Sequence, residues 1–287
     1  MDTSHIARCA QLAMILEVSA TPKPGNIDRD HNYTDTSFEH FLASAVGVYP
    51  IMEKAARSKS GVGTLIHEAV AESGKWQKGG NTHFGAFLLL IPLVMAAGRC
   101  ENKTCLKAQA QRVVRETSVE DAVLFYKAFL EAKVKVKPVN KLDLGDTGSI
   151  DKIKAQGLTL YYLMEISCGY DMIAEEWTNG FKRTFECAAS IQGKIKKHGI
   201  NDAVVLTFME LLSSNKDTFI QTKFDSKKAE EISMRAKKIL QKGDMDEIRE
   251  EIRSFDESLL KEGVNPGSTA DIIIAGLFVS LFKGMRF

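Results

Sequence analysis

Apolar residues recur every three to four positions along most of this chain, a spacing that gathers them on one face of a helix. Between 3 and 20 the stripe runs through Ile6, Ala10, Ala13, Met14, Leu16 and Val18, and Thr21-Pro22-Lys23-Pro24-Gly25 stops it. The same period predicts helices over 37–47, 49–59 and 64–75, with Pro50 in a first turn and Gly61 to Gly63 as a turn. The pattern changes from Phe87 to Ala97, which contains no polar residue and reads as a helix buried all round. Amphipathic spacing returns over 104–115, 119–133 and 150–176, then from about 181 to 197, and over 201–213, 226–242 and 244–261. Asn265-Pro266-Gly267-Ser268-Thr269-Ala270-Asp271 opens a last apolar helix. Period-two alternation occurs only briefly, at 134–137. The expectation is an all-α fold, one compact multi-helix domain spanning 1–287 around a buried central helix. The irregular stretch 134–148 is the single candidate linker, or else a site loop.

With 44% hydrophobic residues in 287, the chain can fill a large core. Its 38 basic and 37 acidic residues nearly cancel, so nothing points to nucleic acid or to an anionic membrane surface. The apolar runs at 84–97 and 272–282 are short of the roughly 20 residues that span a bilayer. Cys9, Cys100, Cys105, Cys168 and Cys187 form no C-x-x-C pair, and reduced thiols in a cytoplasmic protein are the simplest account. The first residues have no signal-peptide pattern.

Small-molecule chemistry is expected where polar, turn-forming residues stand at helix boundaries. Gly79-Gly80-Asn81-Thr82-His83-Phe84-Gly85-Ala86 precedes the buried helix, whose free N–H groups and dipole would stabilise a phosphate. Asn81 or Thr82 could equally be a cap and nothing more. Asn26, Asp28, Arg29, Asp30, His31 and Asn32 crowd polar groups behind the proline-rich turn, a composition that a surface loop would share. Asp171 and Glu175, four apart, would put two carboxylates on one helical face, suited to Mg²⁺ or simply to solvent. Ser268 and Asp271 fit a capping box. No two histidines stand four apart as zinc ligands do on a helix, and no nucleophile elbow is present.

Glu17-x-x-x-Thr21-Pro22-Lys23-Pro24-Gly25-Asn26 with Asp28 and His31, then Asn81-Thr82-His83-x-Gly85, then Asn265-Pro266-Gly267-x-x-Ala270-Asp271 resemble, in order and spacing, the triphosphoribosyl-dephospho-CoA synthase (CitG-like) family. The resemblance runs from near residue 10 to near residue 280. It implies an all-helical transferase in cofactor biosynthesis that binds ATP as substrate. The 2′-hydroxyl of dephospho-CoA attacks the ribose C1′ of ATP and adenine leaves, with Mg²⁺ as cofactor. By the same resemblance, Asp28, His31 and His83 are the catalytic candidates. Lys23, Gly25, Asn26, Gly80, Asn81, Thr82, Asn265 and Asp271 would bind the nucleotide, and Asp146, Asp171 and Glu175 would hold the metal. Asp28 is also a candidate metal ligand, and each of the four carboxylates a candidate base. The partners implied are small molecules, with neither nucleic acid nor membrane, and a homodimer is compatible with them.

The segment Ile27-Asp28-Arg29-Asp30-His31-Asn32-Tyr33 departs from the Gly-Ala-His-x-Asp pattern of typical members. The middle of the chain, with Gly145-Asp146 and Asp171-x-x-x-Glu175, resembles a divergent branch found beside genes of one-carbon cofactor metabolism. Two alternatives therefore stand beside the main expectation: a ribosyl or phosphoribosyl transferase of a pterin-type pathway, and a non-catalytic helical protein that binds nucleotide.

Overall fold

The computed structural model describes residues 2–132 and 148–287. The short alternation at 134–137 and the candidate Asp146 lie outside the described residues. The fold is all-α, with no strand among the described residues. The chain divides into two compact units, Met1–Leu12 with Ala43–Lys182 and Ala13–Leu42 with Arg183–Phe287. Both α1 (Thr3–Ser19) and α2 (Phe38–Gly47) carry the chain from one unit into the other.

The first unit contains α3 (Tyr49–Arg57), α4 (Val62–Trp76), α5 (Phe84–Arg99), α6 (Leu106–Arg115), α7 (Val119–Glu131), α8 (Ser149–Gln156), α9 (Leu160–Ser167) and α10 (Met172–Asn179). The apolar run is α5, buried throughout from Ala86 to Ala97 and packed against α3, α4, α6 and α10. Pro92 lies inside it and has no N–H to give the carbonyl of Leu88. Trp177 Nε1 donates to that carbonyl instead, at 2.9 Å, so an acceptor orphaned by proline is satisfied from α10. Close helix contacts need missing side chains: a Cβ on Gly98 would stand 1.8 Å from the Ala56 carbonyl oxygen, and one on Gly63 2.2 Å from that of Asp121.

The predicted helix over 150–176 is three helices. Gly157 (φ 65°) ends α8 in the left-handed conformation, Thr159 caps α9 by accepting from Tyr162 N–H, and Asp171 caps α10. The cysteines also depart from the expectation of reduced thiols. The turn joining α5 to α6 brings the Cα atoms of Cys100 and Cys105 to 5.9 Å, within reach of a disulfide, and the two are linked.

The second unit contains α11 (Lys182–Ser214, from Arg183 onward), α12 (Thr218–Lys223), α13 (Ser226–Leu240), α14 (Met245–Glu262) and α15 (Gly267–Phe282). Gly199 (φ 72°, ψ 174°) breaks α11 between the two segments the sequence predicts. The apolar closing helix α15 is buried from Ile272 to Phe282. Its N-terminus is not held by the Ser268/Asp271 capping box. Asp217 accepts from the Thr269 N–H at 2.7 Å, while Ser268 Oγ meets Thr218 Oγ at 3.0 Å. The same Asp217 caps α12 through the N–H groups of Phe219 and Ile220. No helix among the described residues is long and apolar enough to cross a membrane.

Candidate active site

Two groups of the predicted residues are held in defined geometry, one in each unit. In the second unit the Thr21-Pro22-Lys23-Pro24-Gly25 stop folds back along the helices that follow. Its Thr21–Pro22 peptide bond is cis. Asn201 grips Thr21 at both backbone groups, accepting from its N–H at 3.1 Å and donating to its carbonyl at 2.8 Å. Gly25 sits at φ 72°, and a Cβ there would meet the Val264 carbonyl oxygen at 2.1 Å. Tyr33 Oη donates to the Gly25 carbonyl at 2.7 Å, and burial raises its phenol above the ordinary range.

Asp28 and Asp256 are fully buried beneath this loop. Asp28 accepts from the N–H groups of Lys23 at 3.1 Å, Asp30 at 2.9 Å and His31 at 3.0 Å, so its buried oxygens are hydrogen-bonded. Asp256 Oδ1 accepts from the Gly25 N–H at 2.8 Å. Its Oδ2 is buried without a hydrogen bond among the described residues and stands 3.0 Å from His31 Nδ1, which lies 3.3 Å from Asp28 Oδ1. Burial raises the Asp256 carboxyl to about 7, with the neighbouring Asp28 adding in the same sense, while the Gly25 N–H and His31 oppose. Asp28, His31 and Asp256 each turn one donor atom into a space where all three lie within 4.8 Å. Two carboxylate oxygens and an imidazole nitrogen so disposed fit a divalent cation that takes its remaining ligands from water or phosphate.

Lys23 faces inward. Its Nζ donates to Glu17 Oε1 at 2.6 Å, to the Ile27 carbonyl at 3.0 Å and to Asn26 Oδ1 at 3.3 Å, which occupies all three of its protons. Burial raises the Glu17 carboxyl, and Lys23 opposes that rise by charge and hydrogen bond. Asn26 Nδ2 in turn donates to Asn265 Oδ1 at 3.0 Å, which fixes the Asn265 amide with its own NH₂ turned away from Asn26.

In the first unit Asn81 Oδ1 accepts from the Phe84 N–H at 2.9 Å and so closes the start of α5. His83 is the boundary residue of α5, buried, with Nδ1 2.9 Å from Ser44 Oγ. Thr82 Oγ1 and His83 Nε2 are buried, and neither has a hydrogen bond among the described residues. Gly80 (φ 73°) offers its carbonyl to Gln77 Nε2 at 2.9 Å.

The remaining candidates are placed differently. Asp171 precedes α10 as its cap and turns its carboxylate back onto the N–H groups of Ile173 at 2.7 Å and Ala174 at 3.4 Å. Burial raises its carboxyl and those two N–H groups oppose the rise. The Glu175 N–H in turn bonds to the Asp171 carbonyl at 2.9 Å, the first hydrogen bond of α10. Asp271 lies in the first turns of α15, half-buried. Asp146 lies outside the described residues. Sequence reasoning missed Asp256, which sits in an α14 segment rich in acidic and basic residues and reads there as part of a solvated face.

The family described as ATP:dephospho-CoA triphosphoribosyl transferase (CitG) matches residues 3–286. The 2-(5″-triphosphoribosyl)-3′-dephosphocoenzyme-A synthase of Escherichia fergusonii is 24% identical over 306 residues, covering 100% of this chain and 94% of that protein. Its counterpart from Klebsiella pneumoniae is 22% identical over 300 residues, covering 98% and 92%. A crystal structure of an Archaeoglobus fulgidus protein assigned as triphosphoribosyl-dephospho-CoA synthase superposes with TM-score 0.70 at 30% identity, covering 85% of this chain and 100% of that one. With the match extending over nearly its whole length, this chain belongs to the CitG family of ATP:dephospho-CoA triphosphoribosyl transferases.

Proposed function

We propose that this chain moves the triphosphoribosyl group of ATP onto the 2′-hydroxyl of dephospho-CoA. In the overall reaction a C1′–O bond forms, the C1′–N9 bond breaks, and the hydroxyl proton ends on the departing adenine. The observation that carries this reading is the Asp28, His31 and Asp256 cluster, held by the first of the family motifs. A triphosphate donor needs its charge neutralised, and a cation held by Asp28, His31 and Asp256 would do that for the phosphate oxygens. Lys23 is proposed as the internal tie that shapes the loop, since its three protons meet protein acceptors. Phosphate contacts then fall to backbone N–H groups and to the Asn265 amide. A cytoplasmic location and a homodimer are compatible with this reading.

The test is adenine release by the purified protein with ATP, Mg²⁺ and dephospho-CoA, with the product mass read in the same sample. Adenine together with triphosphoribosyl-dephospho-CoA supports the reading. ATP binding without adenine overturns the acceptor and directs the search to pterin-type one-carbon cofactor precursors.

A further inference from the structure

Behind His83 in the first unit runs a buried row of hydrogen bonds with a single direction. Gln77 Oε1 accepts from the Gly79 N–H at 2.6 Å, which turns its NH₂ toward the Gly80 carbonyl at 2.9 Å and Ser73 Oγ at 3.5 Å. Ser73 Oγ donates to Ser44 Oγ at 2.8 Å. The Ser44 proton then has His83 Nδ1, at 2.9 Å, as its acceptor. Ser44 is fully buried, with Ser73 and Gln77 nearly so, and water does not compete for these protons. None of the three belongs to a motif in the sequence.

We infer that Ser44, Ser73 and Gln77 are positioning residues that hold His83 as the neutral tautomer carrying its proton on Nε2. A neutral imidazole has one donor nitrogen and one acceptor. With Nδ1 committed to the Ser44 hydroxyl, His83 is a hydrogen-bond donor and is barred from serving as a general base, since Nε2 already holds a proton. The reverse arrangement, Nδ1–H donating to Ser44, would give Ser44 two donors and leave its own proton without an acceptor among the described residues. The row also ties the ring to the Gly79-Gly80 turn, so the donor and the loop before α5 are fixed together. This inference deepens the transferase reading and rests on it for its kinetic consequence: His83 donates a hydrogen bond to an acceptor atom of the bound nucleotide, and a group other than His83 takes the hydroxyl proton on its way to the departing adenine.

The experiment uses the full chain labelled with ¹⁵N-histidine. In the wild type the His83 signals are expected to show a pyridine-like Nδ1 and a pyrrole-like Nε2. Ser44→Ala should give a mixture of tautomers, and Ser44→Thr, which keeps the hydroxyl, should restore the single form. In the adenine-release assay, removing one buried hydrogen bond predicts a fall in kcat of about ten-fold for Ser44→Ala, with KM for ATP little changed and substantial recovery in Ser44→Thr. His83→Gln, which keeps an N–H donor, should retain more activity than His83→Glu, which at neutral pH offers acceptors alone. A wild-type Nδ1–H tautomer overturns the inference, as does Ser44→Ala turning over at the wild-type rate. If the wild type releases no adenine, the transferase reading falls while the nitrogen shifts still decide the tautomer.

Discussion

Asp256 Oδ1 accepts the backbone N–H of Gly25 at 2.8 Å, across a separation of 231 residues, and leaves Oδ2 facing His31. One carboxylate thus both fastens the loop and completes the cluster, and these two duties can be separated by mutation. Asp256→Asn keeps an oxygen for Gly25 while removing the charge. It is expected to weaken Mn²⁺ binding, followed by electron paramagnetic resonance, and to lower adenine release by a factor on the order of 100. The thermal midpoint should move little. Unchanged Mn²⁺ binding would remove Asp256 from the proposed cation set.

Gly25 has no tolerated replacement. Alanine would have to adopt a left-handed backbone with its Cβ 2.1 Å from the Val264 carbonyl oxygen and 2.8 Å from Leu259 Cβ. The backbone strain and overpacking together predict a loss of about 2–4 kcal/mol in Gly25→Ala, measured by urea unfolding. The Asp28, His31 and Asp256 geometry depends on this turn, and activity should fall with it.

The Glu17 and Lys23 pair makes a different prediction. Lys23→Met leaves the Glu17 carboxylate buried without its partner, and a cost of about 3–5 kcal/mol is expected. Adding Glu17→Leu removes the stranded charge and should recover a large part of that loss. A double variant no more stable than Lys23→Met alone would mean that the loop, and not the charge, sets the cost. Activity is not expected to return with stability, because Asn26 and Ile27 also lose the ammonium that positions them.

Much of this architecture was legible because the signals are local. Gly61, Gly180 and Gly263 take positive φ at helix boundaries where the sequence predicts a turn or an end. Residues 86–97 announce a buried helix by containing no polar side chain. The long helix predicted over 150–176 fails because its apolar spacing continues through Leu158 and Tyr170, while the left-handed Gly157 and the caps Thr159 and Asp171 break the chain. Asp28, His31, Asn81 and His83 lie within sequence motifs. Asp256, Ser44 and Ser73 do not, and each acquires its place from a partner 29 or more residues away. No local spacing encodes that. Lys23 shows the limit from the other side, since a lysine beside a glycine turn reads as a phosphate contact until Glu17 is seen 2.6 Å away.

Asp217 gives the pH dependence. Burial raises its carboxyl to about 6 from an ordinary 3.8, although Thr269 Oγ1 and the N–H groups of Thr269, Ile220 and Phe219 all donate to it and oppose the rise. Between pH 4 and 6 the folded state therefore holds a proton at this position that the unfolded state has released. Stability contributed by Asp217 is fully present below about pH 4 and is lost as pH rises through about 6, amounting to roughly 2–3 kcal/mol across the window. Asp217→Asn removes the titration. It also presents an amide N–H₂ where Thr269 offers donors, so the variant is expected to be less stable than the wild type at every pH. The decisive quantity is the difference between the two proteins: the wild type's advantage in urea midpoint should shrink from pH 4 to pH 6 and then level off. A difference that stays constant over that range would show that the donors around Asp217 outweigh its burial.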